Sequence, residues 1–208
     1  MENVNEFLFL GGRASLDLVN TLRGRNDHVL GRRDLLTNVG GLRDWMLAAS
    51  QEADWFTLDL PHSVPTEHEL SDAVSLRESV HDLAVGQISQ ESVSVINRLA
   101  RAQPVPALAY GRPVETDDQE ADGDRFMVTG GTGRTSVTQL LGFVAADAVN
   151  LFATVDSVRI KECSQPRCGM IFLDSSRGNR RRWCSMATCG NRAKVKRFDD
   201  RARAGTQE

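Results

Sequence analysis

Apolar residues recur at helical spacing along 137–155. Val137, Leu140, Leu141, Val144, Ala148, Leu151, Phe152 and Val155 fall on one stripe of a 3.6-residue repeat. The pattern predicts the strongest helix of the chain, over about 136–155, and makes it the core of the N-terminal part. Gln139, Asp147 and Asn150 interrupt it, which suits a buried helix and not a membrane span. A second helix is predicted over 67–85, with Leu70, Ala73, Leu76, Val80 and Leu83 inward. Arg77 lies near that apolar face, either as a buried anion partner or as a snorkelling surface residue. Shorter helices are predicted over 14–22, around Leu42, Trp45 and Met46, and over 92–102. Residues 51–65 hold two prolines and acids and read as a loop.

Strand signals are short. FLFL (7–10) and RDLL (33–36) read as small strands, and ALAY and RFMVT as a hairpin joined by the acidic stretch VETDDQEADGD. That stretch has no calcium-loop pattern. The expected class is therefore α+β: a mainly helical N-terminal domain with short strands and a hairpin over 1–158, then a smaller module over 159–208.

Charge divides the chain at the same place. Residues 159–208 hold thirteen Lys and Arg against five Asp and Glu, a net +8, while the first 158 carry −11. The opposition suggests two modules with different partners. A basic tail suits a polyanion such as nucleic acid; docking on the acidic domain is the plainer alternative. The start, MENVNEFLFLGG, lacks the basic residues and long apolar run of a secretory signal. The expectation is an intracellular, cytoplasmic protein with no membrane partner.

All four cysteines lie in the basic module. Cys163 and Cys168 form C-x4-C, fifteen residues follow, and Cys184 and Cys189 form a second C-x4-C. Paired thiols at short spacing fit one structural Zn2+ with four protein ligands and no open position for substrate. A redox dithiol pair or an iron–sulfur cluster is the alternative. MIFLD and RRRWC could be hairpin strands around SSRGN, and NRAKVKRFDDRARAG reads as a helix ended by Gly205. Knuckle, hairpin and helix in that order describe a treble-clef-like zinc finger.

This module resembles the CGNR zinc finger family. The naming residues stand here as Cys189, Gly190, Asn191 and Arg192, and the surrounding positions match too: Pro166, Gly169, Phe172-Leu173-Asp174, Arg181 through Met186, and Lys194. The likeness covers roughly 159–204. In that family the finger follows an ABATE-type domain, to whose start FLFLGGRASLDLVNTL is similar, with Gly11, Gly12, Asp17, Asn20 and Thr21 in place. Arg13 stands where members often have His. The resemblance implies a stress-responsive transcription regulator that binds DNA.

On a helical projection Val195, Phe198 and Ala202 make one apolar stripe, expected to face the finger's small core. Arg192, Lys196 and Arg203 cluster on one flank, and Lys194, Arg197 and Arg201 on the other. Arg177, Arg180, Arg181 and Arg182 add charge before the second knuckle, and Asn179 and Asn191 are the nearby amides that could read adenine edges. Most such cations position DNA by its phosphates. Asn191 and Arg192 could instead brace the zinc site, and Arg182 could stack on Trp183. Exposed aromatic platforms are scarce, which favours double-stranded DNA over single strands.

In the N-terminal domain Asp17, Asn20 and Thr21 share a helix face. With Arg13 and Arg77 they are candidates to bind a small-molecule effector; bonding to neighbouring backbone is the other use of such residues. The glycine-rich TGGTGRTS (129–136) lacks the lysine of a phosphate loop, and His28, His62, His68 and His81 are scattered. No enzyme is expected. Two functions stay open: a DNA-binding regulator modulated by a ligand, and a zinc-stabilised module that binds proteins. No heptad seam marks a dimer, and a homodimer is one of the oligomeric states left open.

Overall fold

The structure is a computed structural model that describes residues 7–105, 107–111, 125–129 and 135–205. Six α-helices and three two-stranded antiparallel pairs follow in chain order among these residues. Helix α1 is Ala14–Val19, and strands β1 (Leu22–Arg23) and β2 (Arg33–Asp34) pair beside it. Helices α2 (Val39–Glu52), α3 (Glu67–Ala84) and α4 (Gln90–Ala100) come next. Strands β3 (Ala107–Gly111) and β4 (Arg125–Thr129) pair as predicted; the acidic stretch joining them lies outside the described residues. Helix α5 (Val137–Ala153) closes the N-terminal part. Strands β5 (Ile160–Glu162) and β6 (Ile171–Leu173) and helix α6 (Asn191–Gly205) form the C-terminal part.

The long helices start where their sequences supply caps. Ser136 Oγ accepts the Gln139 N–H at 3.1 Å, and Gln139 returns a bond to the Ser136 N–H at 2.9 Å. Thr66 and Glu69 make the same reciprocal box on α3, and each box satisfies two backbone donors that a helix start would leave unpaired. The predicted stripe of α5 is buried from Val137 to Leu151 and packs against α1, α3 and α4. Trp45, Leu16, Leu18 and Leu76 complete this core.

FLFL does not pair as a strand. Its alternation serves two cores instead: Phe7 and Phe9 pack into the main core, and Leu8 and Leu10 into a second one beneath the cysteines. An extended segment with side chains on opposite faces can do this without a ladder. It ends at Gly11, where a Cβ would meet Leu16 Cβ at 2.8 Å and the Asp17 carboxylate at 2.9 Å.

Two expectations for the C-terminal part are corrected. The hairpin pairs Ile171–Leu173 with Ile160–Glu162, so the first knuckle sits in its turn; RRRWC is not its second strand. Side chains tie down 174–181 in place of a ladder. Buried Asp174 accepts N–H bonds from Ser176 at 2.9 Å and Arg181 at 2.8 Å, and Lys161 Nζ donates to Asp174 at 2.7 Å and to the Asn179 carbonyl at 2.6 Å. Nor do Val195 and Phe198 face the finger core: they are 61% and 74% exposed. Phe172, Met170, Leu8, Leu10 and Trp183 already fill that core, so α6 packs mainly on the turn before it. The side chains of 199–205, including Ala202, Arg201 and Arg203, lie outside the described residues.

Candidate metal centre and nucleic-acid interface

The first knuckle is shaped by its own backbone. The Cys163 N–H donates to the Met170 carbonyl at 2.9 Å and the Cys168 N–H to the Gln165 carbonyl at 2.9 Å. Gly169 has φ +67, and a Cβ there would meet Arg25 Cβ at 2.9 Å. Only glycine satisfies both the left-handed turn and the close approach. The second knuckle is a five-residue π-type turn, Met186–Gly190, running straight into α6. The Ser164 N–H donates to the Arg182 carbonyl at 2.8 Å, which brings the knuckles together.

Four sulfurs result, all within 4.8 Å of one another. Cys168 and Cys184 Sγ stand 3.8 Å apart, and Cys184 and Cys189 Sγ 3.6 Å. A tetrahedral zinc with bonds of about 2.3 Å needs sulfur separations of about 3.8 Å. Hydrogen bonding from neighbouring sulfurs pushes the Cys163 thiol down, and bonding to Cys163 pushes the Cys168 and Cys184 thiols up. Four sulfurs this close cannot all ionise without a cation among them. The donor set fits one structural zinc ion, held by Cys163, Cys168, Cys184 and Cys189. Cys168 is half-buried and the other three are buried.

A family model for the CGNR zinc finger matches residues 159–202. A second, the ABATE family described as "Putative stress-induced transcription regulator", matches residues 12–155, well over half of the chain. The chain belongs to the ABATE family. No curated protein matches it.

The CGNR finger is fastened to the ABATE part by several bonds. Buried Asn20, which caps the end of α1, donates from Nδ2 to the Ile171 carbonyl at 2.9 Å and accepts the Ile171 N–H on Oδ1 at 3.0 Å. The Leu173 N–H donates to the Gly11 carbonyl at 2.8 Å. Arg167 pairs with Asp27 at 2.9 Å, and Asn26 donates to Glu162. Ile171 itself belongs to the main core. These contacts use β5, β6 and the first knuckle, and the basic side chains of α6 from Arg192 to Arg197 stay exposed.

The basic residues separate into two groups. Arg181 is spent inside the finger: its guanidinium lies 4.3 Å from the Phe172 ring centroid and donates to the carbonyls of Trp183 at 3.0 Å, Leu10 at 3.4 Å and Cys184. Arg182 is exposed and stacks over Trp183 at 5.1 Å. Arg177, Arg180, Arg192, Lys194, Lys196 and Arg197 are exposed. Asn179 is exposed with φ 47. Asn191 donates to the Ala187 carbonyl at 3.0 Å, so its amide braces the knuckle.

The five N-terminal candidates all have protein partners. Arg13 pairs with Asp147 at 2.7 Å and Asp156 at 3.5 Å. Arg77 makes a fork to both oxygens of Asp34, at 2.6 and 2.9 Å, and a bond to Glu78 at 2.7 Å. Thr21 donates to the Leu18 carbonyl at 2.7 Å. Asp17 of α1 accepts the Gly11 N–H at 2.7 Å and the Trp55 indole N–H at 2.8 Å. Any ligand at these positions would compete with these bonds.

Asp17 carries a testable consequence. Burial raises its pKa from 3.8 to about 7, against the lowering effect of Gly11 and Trp55. Between those values the folded carboxyl holds a proton that the unfolded chain has released, so stability falls as pH rises from about 4 to 7 and levels off above. The full swing is about 4 kcal/mol. Melting temperatures measured across this range should fall less steeply for Asp17→Asn than for the parent protein; equal slopes would assign the pH dependence elsewhere.

Lys161 and Asp174 were missed as a structural pair by reading the sequence. Asp174 stood inside the CGNR-like motif, but only the fold shows it buried under Lys161.

Proposed function

We propose that the protein is a DNA-binding transcription regulator whose zinc-built finger holds duplex DNA on the exposed face formed by α6 and the 177–182 loop. One observation supports this most directly. The finger docks on its own N-terminal domain through β5, β6 and the first knuckle, while Arg192, Lys194, Lys196 and Arg197 stay exposed along α6. Such charge displayed on a folded, metal-stapled element suits a polyanion. Arg177, Asn179, Arg180 and Arg182 extend the face, and Arg181 and Asn191 act by holding the finger's shape. Residues 1–158 and 159–208 serve as sensing and DNA-binding modules in this reading. An effector that displaced Arg13 or Arg77 from its acidic partners would reach the finger through α1, because Asn20 at the end of that helix grips Ile171. The site of action is the cytoplasm. No helix among the described residues is long and apolar enough to cross a membrane.

Duplex binding by the zinc-loaded protein should weaken steeply with salt. Arg192→Ala with Lys196→Ala should lower the slope of log affinity against log salt by about 2, with zinc content unchanged. Absence of duplex binding at low salt would move the finger to acidic protein partners.

A further inference from the structure

The loop between β1 and β2 exposes two neighbouring apolar side chains, Val29 at 78% and Leu30 at 82%. A single exposed leucine needs no explanation. This pair differs because the loop that carries it is built to hold it out. Asp27 Oδ1 accepts the N–H of Val29 at 3.0 Å and of Leu30 at 2.9 Å. The Asp27 N–H donates to the Gly24 carbonyl at 2.8 Å, and the Gly31 N–H to the Asp27 carbonyl at 3.1 Å. The other Asp27 oxygen takes Arg167 of the first knuckle at 2.9 Å. The loop is thus fixed to the finger as well as to its own strands. Ordering a loop costs conformational entropy, and here the order leaves the apolar tip in water.

The tip's neighbours indicate what it meets. Leu30 lines a cleft of about 450 Å³ together with Arg167 and Arg192, so it opens onto the same cleft as the first turn of α6. Exposed Arg32 follows it in the chain. Among the described residues lining the cleft the one acid, Asp27, is spent on the loop's own N–H groups and on Arg167. A short apolar tip among arginines, adjoining the basic helix, has the composition of a wedge that enters a base step while cations take the flanking phosphates. We propose that Val29 and Leu30 form such a wedge, so that the N-terminal domain touches the same duplex as α6 and bends it. This rests on the DNA-binding reading above. Two side chains suit a base step, whereas anchoring to an anionic lipid surface draws on a larger apolar area.

The test uses the full zinc-loaded chain and a random-sequence duplex about three helical turns long, carrying a donor and an acceptor dye at its ends. The parent protein should shorten the end-to-end distance. Val29→Ser with Leu30→Ser should abolish the shortening and weaken binding about tenfold without changing the salt slope, because a wedge neutralises no phosphate. Arg32→Ala should lower the slope by about 1. Both tip side chains are exposed, so zinc content and melting temperature should match the parent and report intact folding. If the parent binds and bends the duplex and the double variant does so equally well, the wedge is wrong and DNA binding stands. If the parent binds no duplex, both fall. Loss of binding to phosphatidylserine vesicles in the double variant, with duplex bending intact, would also overturn the wedge and assign the tip to lipid.

Discussion

Stripping zinc with a chelator, or replacing Cys184 by Ser, is expected to unfold the finger and to lower the melting temperature of the N-terminal domain with it. Cys184 is the centre of the cluster. Its sulfur is 3.8 Å from that of Cys168 and 3.6 Å from that of Cys189, and its N–H points at Cys163 Sγ at 3.5 Å. Structural zinc contributes about 10–16 kcal/mol to the folding of such small modules. Without the ion, the remaining core of Met170, Phe172, Trp183, Leu8 and Leu10 is too small to hold the knuckles together. The damage should spread, because Ile171 belongs to the main core and Leu8 and Leu10 are borrowed from the N-terminal segment. Near-ultraviolet circular dichroism and thermal melts of the chelated protein would check this. A chelated protein that keeps its aromatic signal and a single unshifted transition would show that zinc is not what folds the finger.

The helices were legible where one signal sufficed. Helix α5 was legible from its apolar stripe of Val137, Leu140, Leu141, Val144, Ala148 and Leu151, and α3 from Leu70, Ala73, Leu76 and Val80. The cysteine cluster was legible because spacing and ligand chemistry are local. What failed was partner choice, which is non-local. Residues 160–162, Ile-Lys-Glu, are too short to stand out as a strand, yet they pair with 171–173. The stripe of Val195 and Phe198 has correct helical periodicity, but periodicity cannot show that Leu8 and Leu10, far away in sequence, have already filled the place it would occupy. FLFL was correctly extended, and its two faces turned out to serve two different cores. The helix expected over 14–22 stops at Val19, so Asp17 lies in α1 while Asn20 caps its end and Thr21 follows in a turn; all three bond protein groups, of which the finger's Ile171 could not be read from that segment alone.

Asn20→Ala should destabilise the protein by about 3 kcal/mol. The side chain is buried and its amide does what a β-strand neighbour would do, giving one bond to the Ile171 carbonyl and taking one from its N–H. Alanine would leave both backbone groups unpaired in the interior, and each unpaired group costs about 1–3 kcal/mol. Asn20→Asp should be as harmful, since a carboxylate can accept the N–H but cannot donate to the carbonyl. The loss should also be uneven. α1 keeps its own packing through Leu16 and Leu18, whereas β6 loses its principal side-chain tie to α1. Hydrogen exchange of the Ile171 and Leu173 amides should therefore speed up more than that of amides in α5, at unchanged zinc content. Uniform acceleration across both parts would mean that Asn20 contributes only to global stability and does not specifically join the finger to the domain beneath it.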